Sequence, residues 1–444
     1  MPEQQTSFTA FFKGKTVTQL GLGLLGRGVG DAAFLARHCK KLFITDLKSA
    51  DELRPSLDAL KEFPNIEFHL GKHDNALFEN ADFILKGAGV RLDNPQIAHA
   101  RERGIPVYMS TALFAHLAGI KIIGITGTRG KTTTACMIDG VLKHAGKKTL
   151  LGGNIRGVST LALLPEAARY EYAVLELDSW QLQGFDGLGI SPNISVFTNF
   201  YPDHMNYYDG DMARYLRDKT AIFRHQKTGD TLVTTEDVTA LTQNARAECG
   251  YKGRWIVVPP LPADFSLQIP GAHNLANAAL AKAACIACGI DAATIDEALR
   301  AFTAVEGRLQ YAGEAQGRKF YNDSNATTQE ATLAALASFP PASTVLIFGG
   351  ADKGLPIGRL VSFIDEHKIR CVLIKGTGSD RVLEKLPDLP AVATMQDAVA
   401  AAMKASHEGD AIILSPSFAS FGAFKNEYDR SDQFMREVRN LTGK

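Results

Sequence analysis

Residues 122–142 of this 444-residue chain combine three local signals in a fixed order. Apolar residues at 122–125 predict a buried strand, a Gly-rich turn follows at 127–130, and residues 135–142 predict a helix. A strand that enters a helix through such a turn directs backbone N–H groups and the positive end of the helix dipole at one point, which binds phosphate. The segment therefore indicates an α/β fold with a nucleoside triphosphate site.

The turn has the short phosphate-loop pattern Gly-Thr-x-Gly-Lys-Thr, because Ile125 stands where the longer Walker pattern needs a glycine. Lys131 supplies positive charge for the outer phosphates, and the Thr132 hydroxyl is placed to bind Mg²⁺. A plain surface turn is the alternative, and the flanking strand and helix disfavour it. The candidate ATP contacts in this loop are Gly127, Thr128, Arg129, Gly130, Lys131, Thr132 and Thr133.

Composition excludes several classes of protein. Lys and Arg together number 48, and Asp and Glu also number 48, so no excess charge favours a nucleic-acid or membrane surface. The six cysteines are scattered, as is typical of a reducing compartment, and no apolar run has the length of a membrane span. We therefore expect a cytoplasmic protein that binds neither nucleic acid nor a membrane. Separately from composition, we expect a monomer that acts on small molecules.

Strand and helix patterns alternate along the whole chain, which predicts parallel sheets. The predicted fold class is α/β with three domains: a Rossmann-like N-terminal domain, a central P-loop ATPase-like domain with a mostly parallel sheet, and a Rossmann-like C-terminal domain. The predicted boundaries are 1–109, 110–304 and 305–444. In the first domain, the loop Gly21-x-Gly23-x-x-Gly26 follows a strand and Asp46 lies about twenty positions later, a Rossmann-like fingerprint.

Polar side chains also follow two strands of the central domain. Glu176 ends the predicted strand at 172–177, and Asp203 and His204 follow the one at 194–198. Parallel strands bring their carboxyl ends to one edge of a sheet, where ligands bind. Glu176 is therefore expected to complete a Mg²⁺ site with Thr132.

Further short motifs follow in order. With the phosphate loop they are Leu-Glu-x-x-Ser at 175–179, Asp-His-Met at 203–205, Ala-His-Asn-Leu-Ala-Asn at 272–277, Gly-Arg at 307–308, Asn-Asp-Ser-x-Ala-Thr at 322–327, Gly-Gly-x-Asp-Lys-Gly at 349–354 and Leu-Ser-Pro-x-x-Ala-Ser-Phe at 414–421. Over nearly the whole chain these motifs resemble the Mur ligase family, the ATP-dependent amide-bond-forming ligases of peptidoglycan precursor synthesis. The last three motifs are most similar to those of its glutamate-adding members.

This resemblance implies an activity. The enzyme would use ATP to add glutamate, in the D form, to UDP-N-acetylmuramoyl-L-alanine through an acyl phosphate, releasing ADP and phosphate. The implied cofactors are ATP and Mg²⁺ at two sites. The implied catalytic residues are Lys131, His204, Lys219 and Arg308, and the metal ligands are Thr132, Glu176, His204 and Lys219, the last as a carbamate.

The resemblance also implies substrate contacts. Asn274 and Asn277 would lie near adenine, Asp323 near the ribose and Arg308 at the γ-phosphate. The implied contacts of the UDP substrate are Leu24, Leu25, Asp46, Asn154, Ser179 and His204. Those of the incoming glutamate are Thr327, Lys353 and Ser420.

Five positions depart from the family pattern, and they leave the glutamate enantiomer and the uridine contacts open. They are Asp178, Gly87, Asn325, Phe418 and Glu427. An L-glutamate-adding relative is therefore one alternative. Three other classes fit less well. A folate polyglutamate synthase lacks a UDP-docking first domain, and a non-enzymatic nucleotide switch needs no amino-acid pocket. A nicotinamide dehydrogenase leaves Lys131, His204 and Arg308 unexplained.

Overall fold

The computed structural model describes residues 8–24, 26–155 and 157–443, apart from the side chain of Glu427. Leu25 and the Glu427 side chain, both named above, lie outside the described part. The chain forms two compact units. The first contains residues 1–259 and 279–296, and the second contains 260–278 and 297–444.

The N-terminal sheet is parallel, with strand order β3-β2-β1-β4-β5. Its order reverses between β1 and β4, so a crevice opens outside the carboxyl ends of these two strands. The strands are β1 (Thr16–Leu20), β2 (Lys41–Asp46), β3 (Ile66–Leu70), β4 (Phe83–Lys86) and β5 (Val107–Tyr108). The helices are α1 (Phe8–Phe12), α2 (Arg27–His38), α3 (Arg54–Asp58), α4 (Ala76–Glu79) and α5 (Pro95–Glu102).

The central sheet is also parallel, with strand order β11-β10-β9-β6-β8-β7. Its strands are β6 (Lys121–Thr126), β7 (Thr149–Gly153), β8 (Tyr172–Glu176), β9 (Ile194–Phe197), β10 (Thr231–Thr234) and β11 (Arg254–Val257). Its helices are α6 (Ser110–Leu117), α7 (Lys131–His144), a 3₁₀ helix (Leu161–Arg169), α8 (Ser179–Gly187), α9 (Met212–Arg224), α10 (Glu236–Leu241) and α11 (Gln243–Glu248). Two further helices, α12 (Ala272–Ala287) and α13 (Ala292–Ala301), follow.

The C-terminal sheet has strand order β12-β13-β17-β14-β15-β16 and is parallel except for the β12–β13 hairpin. Its strands are β12 (Gln310–Ala315), β13 (Arg318–Asn322), β14 (Thr344–Gly349), β15 (Arg370–Ile374), β16 (Ala391–Val392) and β17 (Ala411–Leu414). Its helices are α14 (Gln329–Leu336), a 3₁₀ turn (Pro341–Ser343), α15 (Gly358–His367), α16 (Thr377–Leu383), α17 (Met395–Ala405) and α18 (Glu427–Thr442).

The central strands of each sheet are buried on both faces. All residues of β4, β8, β9, β14 and β17 are buried. Helices cover both faces of a parallel sheet, so its strands are continuous apolar runs rather than alternating patterns. This burial is what made these strands recognisable in the sequence.

The predicted α/β class with three domains is confirmed. Several local expectations were wrong or incomplete. The sequence analysis predicted no strand at several places where the structure has one, among them Ile66–Leu70, Thr149–Gly153, Thr231–Thr234 and Arg254–Val257. It also predicted only alternating strands and helices where β12 and β13 form a hairpin. Ser110 is of a residue type that often caps helices, but it is the first residue of α6 rather than its N-cap. The domain boundaries stay a prediction. Among the described residues, no helix combines the length and the apolar character needed to cross a bilayer.

Asp31 fastens helix α2 to the central part of the first unit. Its Oδ1 accepts hydrogen bonds from Ser110 Oγ at 2.7 Å and Ser159 Oγ at 2.6 Å. Burial raises the pKa of this carboxyl from 3.8 to about 6, although the two hydroxyl groups oppose the shift. The folded chain therefore holds the proton more tightly than the unfolded chain does.

Asp31→Asn is expected to stabilise the protein above pH 6. Both hydrogen bonds end on Oδ1, which an asparagine keeps. Because the folded-state pKa is raised, wild-type stability is lost as pH rises from about 4 to about 6, by an amount on the order of 2 kcal/mol. The variant lacks this loss. Urea unfolding of both proteins at pH 4.5 and pH 8, at about constant ionic strength, measures it. An equal pH dependence of the two proteins contradicts the prediction.

Candidate active site

The phosphate loop joins the end of β6 to the start of α7. Gly127 and Gly130 have φ values of 142° and 81°. A Cβ on Gly127 would lie 1.9 Å from Thr198 Oγ1, so only glycine fits there. Lys131, the first residue of α7, donates from Nζ to the carbonyl oxygens of Gly127 (3.0 Å) and Thr128 (3.2 Å). The ammonium thus lies over the loop, where it can meet a phosphate.

The next pair of side chains suits a magnesium ion. Thr132 Oγ1 donates to Glu176 Oε2 at 2.6 Å, and Glu176 is 3% exposed at the end of β8. A hydroxyl and a carboxylate are ligands that Mg²⁺ accepts, and the ion takes its other ligands from phosphates and water. The described residues contain no group of three or more His, Cys, Asp or Glu side chains placed to hold a metal. The Thr132–Glu176 pair therefore fits a Mg²⁺ ion that binds together with the nucleotide phosphates.

His204 follows β9 in a constrained conformation. Its φ of 55° is in the left-handed region, and its ring lies 4.7 Å from the Trp180 ring. Burial lowers the pKa of His204, so the neutral imidazole, the metal-binding form, prevails. Asp203 forms an ion pair with Arg129 at 2.9 Å. Burial alone would raise the pKa of Asp203, but the Arg129 guanidinium and His204 hold this pKa below its ordinary value. The ion pair ties the phosphate loop to the segment that carries His204.

Lys219 is buried within the same loop region. It is 1% exposed, and its Nζ donates to the Gly127 carbonyl oxygen at 2.9 Å. Burial, with the Lys131 ammonium as a second cause, holds the pKa of the Lys219 amine well below its ordinary value. An ordinary solvated lysine on a helix surface is therefore excluded.

A cavity of about 760 Å³ opens at the carboxyl edge of the N-terminal sheet, within the first unit. Its walls include Leu24 and Asp46, which were both predicted to contact the UDP substrate. They also include Arg27 and Gln181, which were not predicted as substrate contacts. Asn154, Ser179 and His204 are not among its lining residues. Ser179 is 1% exposed.

Asp46 shapes the glycine loop beside this cavity. Its carboxylate accepts from the backbone N–H groups of Leu22 (2.9 Å), Gly23 (3.2 Å) and Lys48 (3.0 Å). Burial alone would raise its pKa, but these N–H groups lower it. In a Rossmann-like fingerprint the carboxylate of this acidic residue binds the ligand. Here the Asp46 carboxylate oxygens instead hold the glycine loop in place.

Two departures from the family pattern have structural explanations here. Asp178 caps α8: its carboxylate accepts from Gln181 N at 2.7 Å, so its charge faces the positive end of a helix. The loop that begins at Gly87 is held by Lys86, which the sequence did not reveal. Lys86 is 1% exposed and donates to the carbonyl oxygens of Val90 (2.7 Å) and Gly87 (3.2 Å). Burial lowers its pKa to about 8.

In the second unit, three motif loops follow the adjacent strands β13, β17 and β14. Lys353 Nζ lies 2.8 Å from Thr327 Oγ1, so two of the predicted glutamate contacts are brought together. Ala419, which precedes Ser420, pairs with Ala351 in an isolated bridge, which sets the loop of Ser420 beside that of Lys353. These loops form a polar edge that suits an anionic ligand.

Three of the predicted nucleotide contacts in the second unit are buried, namely Asp323, Asn274 and Asn277. Asp323 Oδ2 accepts from Ser415 Oγ at 2.9 Å and its Oδ1 from Leu309 N at 3.1 Å, and burial raises its pKa to about 7. Asn274 Nδ2 donates to the Pro270 carbonyl oxygen at 2.6 Å, and Asn277 Nδ2 to Asn274 Oδ1 at 3.3 Å. Arg308 directly precedes Leu309 in the chain. Their contacts with ATP stay predictions.

Arg430 is a further residue that the sequence did not reveal. It is fully buried on α18 and donates to the carbonyl oxygens of Phe418 (3.1 Å) and Ser324 (2.8 Å), so it joins two of the motif loops. Phe418 itself is 3% exposed and packs against Gly378, where a Cβ would lie 2.2 Å from its ring. Asn325 donates to the Glu306 carbonyl oxygen at 3.3 Å. Phe418 and Asn325 thus serve the packing of the loops.

Comparisons with known proteins agree with this architecture. Family models of the Mur ligases match three segments: the MurD-like N-terminal domain over residues 15–109, the Mur ligase middle domain over 125–252 and the Mur ligase glutamate ligase domain over 307–418.

Two relatives are similar to the chain over almost its whole length. The UDP-N-acetylmuramoylalanine--D-glutamate ligase of Roseiflexus sp. (strain RS-1) is 34% identical over 97% of this chain and 99% of its own. The protein of the same name from Bacillus velezensis is 33% identical over 95% and 97%.

Two solved structures share the fold. UDP-N-acetylmuramate-alanine ligase MurC from Thermotoga maritima has a TM-score of 0.59 at 20% identity, covering 97% of this chain and 100% of its own. The UDP-N-acetylmuramoylalanyl-D-glutamyl-2,6-diaminopimelate--D-alanyl-D-alanyl ligase from Acinetobacter baumannii has a TM-score of 0.61 at 16% identity, over 95% and 93%. With its three matched domains and its full-length relatives, the chain belongs to the Mur ligase family, among the members of MurD type.

Proposed function

We propose that this protein is an ATP-dependent ligase that joins D-glutamate to UDP-N-acetylmuramoyl-L-alanine in peptidoglycan precursor synthesis. The observation that carries the proposal is the Thr132–Glu176 pair beside Lys131, at the carboxyl edge of the central sheet. Full-length relatives that bear the name of this ligase support the choice of substrates.

The reaction needs an activated carboxyl group. A carboxylate is a poor acyl donor because its oxygen is a poor leaving group, and transfer of the γ-phosphoryl group of ATP converts it to an acyl phosphate. The glutamate amine then attacks, and the tetrahedral intermediate collapses to the amide and phosphate. Catalysis of phosphoryl transfer is mainly positioning and charge neutralisation. Lys131 supplies positive charge at the phosphate loop, and we assign the γ-phosphate contact to Arg308.

Magnesium, when bound, neutralises charge on the phosphates. We propose Thr132 and Glu176 as protein ligands of one ion, and His204 with a carbamylated Lys219 at a second. Carbamate formation joins the amine nitrogen to carbon dioxide and releases a proton, so it requires a neutral amine. The lowered pKa of Lys219 meets that requirement. The resulting anion lies where an ammonium would repel metal ions.

The glutamate contacts are assigned to Thr327, Lys353 and Ser420. Their one ammonium and two hydroxyl groups can pair with two carboxylates, whereas a lysine-adding site needs an acidic partner for the distal ammonium. A dicarboxylic amino acid therefore fits this edge of the sheet best.

Lys353→Ala is expected to raise the Michaelis constant for glutamate about tenfold or more and to leave that for ATP nearly unchanged. A charge-assisted hydrogen bond to a carboxylate contributes roughly 1.5–3 kcal/mol. Steady-state kinetics with each substrate varied in turn measures this, and Lys404→Ala, at an exposed position of the same unit, is the matched control. Equal changes in both constants would show that the variant damages the unit as a whole.

Phosphate release tests the proposed function. The complete mixture contains ATP, Mg²⁺, UDP-N-acetylmuramoyl-L-alanine and D-glutamate, and each component is omitted in turn. We expect release only in the complete mixture. Replacing the nucleotide sugar with a folate tests the folate polyglutamate alternative, and replacing D-glutamate with L-glutamate tests the stereochemistry. Preference for the L form corrects the enantiomer only, and release without an amino acid overturns the ligase assignment.

We further propose that the protein is cytoplasmic, because ATP and nucleotide sugars are cytoplasmic substrates. We also propose that it acts as a monomer. Its domains are proposed to divide near residues 109 and 304. Size-exclusion chromatography with light scattering, with and without the substrates, tests the monomer.

A further inference from the structure

A continuous chain of side-chain hydrogen bonds runs from helix α2 to the phosphate loop within the first unit. Arg27 Nη1 donates to Asn154 Oδ1 at 2.5 Å. Asn154 Nδ2 donates to Glu176 Oε1 at 3.3 Å, and Glu176 Oε2 accepts from Thr132 Oγ1 at 2.6 Å. Both oxygens of the proposed metal-binding carboxylate therefore accept a hydrogen bond, one from Asn154 and the other from Thr132.

Arg27 fixes which way the Asn154 amide faces. A guanidinium only donates hydrogen bonds and a carboxylate only accepts them, so Oδ1 must face Arg27 and Nδ2 must face Glu176. The Asn154 backbone is already fixed, because its N–H donates to the Glu176 carbonyl oxygen at 2.8 Å. The preceding Gly153 permits this close approach, since a Cβ there would lie 2.0 Å from that oxygen. Only the side-chain amide is left for Arg27 to orient.

Arg27 also belongs to the wall of the cavity at the N-terminal sheet. It is the first residue of α2 and follows Gly26, whose φ is 83°. One turn later, Asp31 holds α2 to Ser110 and Ser159. A guanidinium has five N–H donors, so Arg27 can contact an anionic group in the cavity while it keeps Asn154.

We propose that Arg27 is a positioning residue that links the nucleotide-sugar pocket to the metal-binding pair Thr132–Glu176 through Asn154. The inference rests on the function proposed above for the pocket and the pair. Without Arg27, the Asn154 amide is free to rotate and Glu176 loses a fixed partner. Arg27 should therefore matter for nucleotide binding only when Mg²⁺ is present.

Titration calorimetry with the non-hydrolysable ATP analogue AMP-PNP tests the link on the full chain. The proteins are wild type, Arg27→Met, Asn154→Ala and the double variant, each with Mg²⁺ and with EDTA. Arg37→Met is the matched control, on the same helix with a side chain that is 59% exposed. We expect Arg27→Met to weaken binding about tenfold with Mg²⁺, the size of effect seen for partners of metal ligands, and to leave binding in EDTA unchanged. The double variant should be no weaker than Asn154→Ala alone.

A second titration series adds UDP-N-acetylmuramoyl-L-alanine. In the wild type, we expect the nucleotide sugar to change the AMP-PNP dissociation constant by about fivefold or more, within the usual range of site coupling, and in Arg27→Met by much less. Arg27→Lys keeps a donor-only cation and should restore most of the coupling. It also serves as the second variant if Arg27→Met lowers the melting temperature.

Three outcomes overturn the proposal: equal losses with Mg²⁺ and with EDTA, losses that multiply in the double variant, or equal coupling in Arg27→Met and wild type. The affinities do not depend on turnover. A wild type that binds AMP-PNP and the nucleotide sugar but releases no phosphate contradicts the proposed function and leaves these comparisons valid.

Discussion

Lys131→Ala is expected to reduce ligase activity about a hundredfold or more while the protein stays folded, because removing one preorganised charge from a transition state costs several kcal/mol. Its ammonium lies over the phosphate loop, on the carbonyl oxygens of Gly127 and Thr128. The phosphate-release assay with all substrates saturating measures the loss. Because the side chain is half-buried rather than buried, we expect the melting temperature to change little.

Lys143→Ala is the matched control for this prediction. Lys143 lies on the same helix, its side chain is 57% exposed, and it pairs with Asp139 one turn away. It should retain nearly full activity. A Lys131→Ala protein with a wild-type melting temperature and more than about a tenth of wild-type activity would remove Lys131 from the catalytic residues.

Lys219→Ala is expected to have the second largest effect, about a hundredfold loss of activity that short carboxylates partly restore. The variant leaves a buried gap beside Gly127, where acetate or bicarbonate can supply the negative charge of the missing carbamate. Activity is measured with increasing acetate, and with sodium chloride at the same ionic strength as a control for salt.

Lys227→Ala, at an exposed position just after α9, is the matched control for Lys219. It should behave as the wild type in every salt. Mass spectrometry of intact wild-type protein under bicarbonate, at mildly alkaline pH, should show an added carboxylate that Lys219→Ala lacks. Full activity of Lys219→Ala without any carboxylate would exclude the carbamate role.

The sequence predicted those parts of the fold and site that depend on short stretches of chain. The strand, glycine turn and helix around Lys131 are local, because backbone dihedrals and helix capping are set by neighbours. The Thr132–Glu176 pair was predicted from a general property of parallel sheets, whose strand ends share one edge. At 2.6 Å, the two side chains meet as that property requires.

For other polar side chains, the hydrogen-bond partner is known only from the folded structure. Asp178 departs from the family pattern, and its side chain completes a capping box with Gln181. Ser110 is of a residue type that favours the N-cap position, yet its hydroxyl donates to Asp31, 79 residues away in the sequence. A buried polar side chain forms hydrogen bonds with the polar groups that tertiary packing brings close to it.

The sequence by itself determined the α/β class, the phosphate loop, the family and the order of the motifs, because each is written in consecutive residues. Only the tertiary structure decided that Lys219 is buried with a lowered pKa, that Arg430 joins two loops, and that Arg27 reaches Asn154, 127 residues later. A lone lysine or arginine in a sequence is usually solvated. Its function here depends on desolvation and on distant partners, and both arise only when the strands and helices have packed.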